Sequence, residues 1–82
     1  MNAILDTVRV ILDVYSTQGV QADQGLSIRE LHLLRYGWER HHRDNFAKAV
    51  VLMINSGLVA WGDGDDLLLT EAGYKALRQS EG

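Results

Sequence analysis

At 82 residues, 46% of them apolar and none cysteine, the chain is sized for one small globular domain spanning residues 1–82, with no disulfide framework and no thiolate metal site. Eight Lys/Arg against eleven Asp/Glu give a net charge of −3, opposite in sign to most dedicated nucleic-acid binders, although the local distribution of charge decides the field that a partner meets. The longest apolar run, Ala49 to Ile54, is far short of the ~20 residues that span a bilayer, and the N-terminal apolar stretch holds Asp6 and Arg9 without a basic leader, so the expectation is a soluble, cytoplasmic protein with no membrane contact.

Ile4, Val8, Ile11, Leu12 and Tyr15 recur at helical spacing, with Asp6, Arg9 and Asp13 on the other side. They predict a first helix over residues 3–17 with Asn2 as its N-cap. Gln18 to Gly25 is polar and glycine-bounded and reads as a loop. Ser27 and Glu30 then form an S-x-x-E capping box, and Leu26 and Leu31 occupy the two positions of a hydrophobic staple. A second helix should therefore start at Ile28, turn Leu31 and Leu34 inward, and end near Arg35 before Gly37. The residues before Ser27 leave room for a short extra strand near residue 26.

A third helix is expected to begin at Arg43 or Asp44 and to stop at Ser56-Gly57. Phe46, Ala49, Val50, Met53 and Ile54 share one side of it. Asp44, Lys48 and Asn55 lie opposite, flanked by Asn45 and Leu52. Leu58–Trp61 and Leu67–Leu69 read as two strands around Gly62-Asp63-Gly64-Asp65-Asp66, a hairpin. Thr70 should cap a fourth helix with Ala72, Tyr74 and Leu77 inward, fraying from Gln79 to Gly82. The predicted fold class is mainly α with a small β-hairpin, in the order α-α-α-β-β-α.

With Ile54-Asn55-Ser56-Gly57-Leu58-Val59 closing the third helix and Leu69-Thr70-Glu71-Ala72-Gly73-Tyr74-Lys75-Ala76-Leu77 following the hairpin, the chain resembles the winged helix-turn-helix superfamily of bacterial and phage regulators. The resemblance covers about residues 26 to 78. It implies that the third helix enters the DNA major groove, braced by the second, and that the hairpin is the wing. Carried onto this sequence, the groove-facing positions are Asp44, Asn45, Lys48, Leu52 and Asn55. Here the chain departs from the pattern: this face has one cation, and the wing carries Asp63, Asp65 and Asp66 with no Lys or Arg.

Two functional readings follow. In the first, the chain is a small, dimeric DNA-binding transcriptional regulator. Arg29, Arg35, Arg40, Arg43 and Lys48 are five of the eight cations, and with Glu30, Glu39 and Asp44 they leave a local balance of about +2. Arg35, Arg40, His42, Arg43, Asn45 and Lys48 are the candidate contacts to double-stranded DNA. The plainer view of this segment is a solvated loop with Arg35–Glu39 and Arg40–Asp44 pairs. In the second, the domain binds a protein as an inhibitor or adaptor. Val51 and Leu52, outside the apolar stripe, would meet a homodimer mate or an apolar partner; Asp63, Asp65 and Asp66 would meet a basic one.

Trp61 is expected in the core, and Trp38 at the core or at a contact surface. His41 and His42, being adjacent, should diverge, and no ligand spacing for a metal is present. The aspartates of the hairpin lack the downstream ligands of a calcium loop. No catalytic constellation and no cofactor motif is found, so the expectation is a non-enzyme.

Overall fold

The computed structural model describes residues 3–81; the predicted Asn2 cap and Gly82 lie outside the described residues. Helix α1 spans Ala3–Thr17 and buries Thr7, Val8, Ile11, Leu12 and Tyr15. After a loop comes strand β1, Gly25–Ser27, the short strand that the sequence left room for. Helix α2, Ile28–Leu34, starts where the capping signal places it. The Ser27 hydroxyl accepts from the amide of Arg29 at 3.1 Å, one residue earlier than a full capping box would use. A 3₁₀ turn, Arg35–Gly37, closes this helix.

The third helix, expected from Arg43 or Asp44, begins instead at Phe46, and a separate short helix precedes it. Helix α3 spans Arg40–Asp44 and α4 spans Phe46–Asn55. Between them Asn45 adopts φ −95°, ψ 3°, outside the helical well. Hydrogen bonding nearly continues across the joint: the Asn45 amide donates to the His41 carbonyl, and the Asn45 carbonyl accepts from Ala49. The chain therefore bends at Asn45 while keeping its backbone groups paired. Phe46, Ala49, Val50 and Met53 are buried as the periodicity predicts.

Strand β2, Val59–Trp61, pairs with β3, Asp66–Leu69, which pairs on its other side with β1, giving the antiparallel order β1-β3-β2. Leu67 and Leu69 of the central strand face the core with Val59. The Tyr15 hydroxyl donates to the Leu67 carbonyl at 2.9 Å and ties α1 to the sheet. Helix α5, Glu71–Glu81, includes Gln79, Ser80 and Glu81, three of the residues expected to fray; the fourth, Gly82, lies outside the described residues.

The corner between the hairpin and α5 follows from local chemistry. Gly57 takes φ +75°, a backbone state that glycine reaches without a Cβ penalty, and ends α4. Thr70 donates to the carbonyls of Gly57 and Leu58 and accepts from the amide of Gly73 at 3.0 Å. A Cβ at position 73 would overlap the Leu58 carbonyl. That approach explains why buried Gly73, and not the expected Ala72, faces inward; Ala72 is exposed.

Two other inward assignments are corrected. Leu34 is 43% exposed because α2 tightens into the 3₁₀ turn beside it. Trp61 pairs in register with buried Leu67, but it is the last residue of an edge strand, so 55% of it stays in solvent. The described residues thus form a mainly helical fold with a small three-stranded antiparallel sheet. None of their helices is long and apolar enough to cross a membrane.

Candidate functional site

Phe46, the first residue of α4, organises the segment that carries the cations. It is 2% exposed. His32 from α2 tilts against its ring at a centroid distance of 5.0 Å, and Trp38 at 5.9 Å, within the range of favourable aromatic pairs. The Arg35 guanidinium lies 5.8 Å from the same ring and 5.2 Å from that of Tyr36. Arg35, expected to pair with Glu39, is thus held by rings, as a planar, weakly hydrated guanidinium allows. Trp38 is half-buried against the core.

Arg35, Tyr36, Arg43 and Asp44 line an open surface hollow of about 270 Å³. Arg35 donates to the Tyr36 hydroxyl at 3.4 Å. That bond, and then the positive charges of Arg35 and Arg43, hold the Tyr36 phenol below its ordinary value. The hollow therefore has a positive potential at a hydroxyl, which suits an oxyanion such as a phosphate. Asp44 opposes it from one side, and its carboxylate meets Arg40 at 3.8 Å between highly exposed partners, the predicted i,i+4 pair.

The other candidate contacts are more dispersed. Lys48 is exposed on α4, and the solvent face of that helix is completed by Ala47, Val51 and Asn55. Asn45 is half-buried at the bend, and no side-chain hydrogen bond from it caps α4. His42 is half-buried and tied to α1 on one side of its ring: its Nδ1 lies 2.8 Å from the hydroxyl of Thr7. His41 and His42 do not diverge; their ring centroids are 3.9 Å apart. Val51 is 55% exposed, whereas Leu52 packs partly against the core and offers less surface than its position outside the stripe suggests.

Asp63, Asp65 and Asp66 are all exposed. Asp66 is not in the turn but opens β3 opposite Ser27. Asp63 and Asp65 in the turn, with Asp66 at the start of β3, therefore form an acidic end on elements other than those lining the Arg35–Tyr36–Arg43 hollow.

Tyr36, Phe46 and Thr7 take part in ways the sequence does not announce. Tyr36 adjoins Arg35, so its neighbour was visible but its role was not. Phe46 reads only as a core residue, and the Thr7–His42 contact joins elements 35 positions apart with no local signal. Compared with known proteins, the chain matches no family model, no curated protein and no solved structure.

Proposed function

We propose that the chain is a winged helix-turn-helix domain that binds duplex DNA as a small cytoplasmic transcriptional regulator, gripping backbone phosphates at the α2–α3–α4 end. The observation that carries this reading is the hollow in which Arg35 and Arg43 flank the Tyr36 hydroxyl. The element order and the β1-β3-β2 sheet support the winged architecture. In it, α4 is the groove helix and the β2–β3 turn is the wing. Because α4 shows one cation, Lys48, on its solvent face, most of the affinity comes from phosphate contacts and is weakly dependent on sequence. The domain is a binding module and not a catalyst.

A labelled random-sequence duplex, titrated by anisotropy at low salt and then at rising salt, tests this. The logarithm of the affinity should fall linearly with the logarithm of salt concentration. Arg35→Ala with Arg43→Ala should weaken low-salt binding more than about 10-fold and flatten the slope by about 1.8, two phosphates' worth. An unchanged circular dichroism spectrum separates this from unfolding. Wild-type binding of millimolar strength or weaker with no salt slope would refute the reading.

One observation favours the protein-binding alternative. Val51, on the solvent face of α4, and Trp61, beside the acidic tip, are each 55% exposed. Exposed apolar and aromatic side chains are typical anchors of protein interfaces. On that reading the partner is a second copy or a basic protein. Val51→Asp should then abolish self-association seen by light scattering and leave DNA affinity nearly unchanged.

A further inference from the structure

We propose that Glu39, His41 and His42 form a binding site for a divalent transition-metal ion of the zinc, nickel or copper type. One donor atom from each side chain lies within 4.8 Å of the other two. Two ligands of a tetrahedral zinc ion at ~2.0–2.1 Å are roughly 3.3–3.4 Å apart, so the set closes by about an ångström and a half. Glu39 and His41 are exposed, with 79% and 51% of their side chains open to solvent, and their torsions can supply that movement without breaking packing. The local chain already favours closure: the His41 Nδ1 lies 3.5 Å from a Glu39 carboxylate oxygen, and the two imidazoles lie side by side with centroids 3.9 Å apart and planes tilted by 42°.

The second observation is the support behind His42. Thr7, fully buried, donates its hydroxyl proton to the Ala3 carbonyl at 3.1 Å. With that proton committed, the 2.8 Å contact to His42 takes a proton from Nδ1. The His42 Nε2 lone pair is then left for an ion, and the ring is anchored by a second residue, as metal-binding imidazoles usually are. Two imidazoles and one carboxylate select against calcium and magnesium, which take oxygen ligands. Glu39 supplies the one negative charge, while the amide dipoles at the start of α3 oppose a cation. Affinity should therefore be on the order of micromolar, below that of closed four-ligand sites. Three protein ligands leave at least one position for water or an outside ligand.

The test is calorimetric titration of the tag-free full chain with Zn²⁺, beside histidine ring resonances followed by NMR. One ion per chain is expected, with the ring signals of His41 and His42 shifting and those of His32 unmoved. His41→Ala and His42→Ala should each weaken binding more than about 30-fold, and Glu39→Gln about 10-fold, while His32→Ala should change nothing. Thr7→Val, which keeps the shape and removes the hydroxyl, should weaken binding by about 10-fold at most. Zn²⁺ binding no tighter to wild type than to the His41→Ala/His42→Ala double variant would overturn the site. So would equal loss on His32→Ala, or ring shifts confined to His32.

Discussion

The cationic end and the acidic tip are both exposed, yet they are held in opposite ways. At the α2–α3 end the side chains carry the arrangement: Arg35 lies over two rings, one of them the buried Phe46, and donates to Tyr36. At the hairpin tip the backbone carries it. The Ile28 amide donates to the Asp65 carbonyl and the Gly62 amide to the Asp66 carbonyl, both at 2.8 Å. Among the described residues, no hydrogen bond or ion pair engages the carboxylates of Asp63, Asp65 or Asp66. Charge is therefore coupled to packing at one end and uncoupled from it at the other. Substitutions at the tip should change only the field, whereas substitutions at the cationic end should change field and stability together.

The contrast requires that the hairpin be anchored at its base, and substitutions there should have the largest effects. Gly73→Ala drives a methyl group into the Leu58 carbonyl and should cost about 2–3 kcal/mol in chemical denaturation, since the backbone at the corner must move. A loss below about 0.5 kcal/mol would show that the corner yields and that something else anchors the hairpin. Tyr15→Phe comes next. It strips the Leu67 carbonyl of its buried partner, at about 1–3 kcal/mol. Burial also holds the Tyr15 phenol well above its ordinary value near 10. The unfolded chain therefore ionises first, so this contribution is complete below about pH 10 and is lost as pH rises beyond it. The gap in stability between wild type and Tyr15→Phe should shrink steadily above pH 10; a constant gap would refute the assignment.

How far the sequence reveals these two regions depends on the range of the interactions that build them. The α1 stripe, the Ser27 cap and the Gly57 stop are legible because each follows from the pattern of neighbouring residues, and so is the Thr70 cap on Gly73, although the same hydroxyl also reaches the distant Gly57 and Leu58 carbonyls. Even the exchange of Ala72 for Gly73 is one residue wide, and its cause is a backbone approach from Leu58, just before β2, that no periodicity encodes. The cationic end is harder to read. His32, Arg35 and Trp38 converge on Phe46 only after the chain folds back, and α3, Arg40–Asp44, is a short helix with no apolar residue to announce it. The run of cations marks out the segment, but it does not show that Arg35 belongs to the packing or that His42 is anchored on Thr7. Trp61 fails as a core assignment for a related reason: its period is right, but its place at the sheet edge is a property of the whole sheet.

Arg35→Ala tests the coupled end directly. Loss of its contacts with Phe46 and Tyr36 should cost about 0.5–1 kcal/mol of stability in addition to any loss of DNA affinity. A variant that loses affinity alone would show that the ring contacts contribute nothing, and the contrast between the two ends would narrow to charge.

Asp63→Lys with Asp65→Lys should have the smallest effect on stability, within about 0.5 kcal/mol, because neither carboxylate has a partner among the described residues and the backbone bonds of the tip survive. Its effect on binding discriminates between the functional readings. If duplex DNA binds at the Arg35–Tyr36–Arg43 hollow with the tip held nearby, removing two negative charges and adding two positive ones should raise low-salt affinity and steepen the salt slope. If the tip is a docking surface for a basic protein, the same variant should lose that partner through like-charge repulsion, with DNA affinity unmoved. A large loss of stability would contradict both outcomes, since it would mean that the carboxylates hold the hairpin together and that the tip is not free to act on a partner at all.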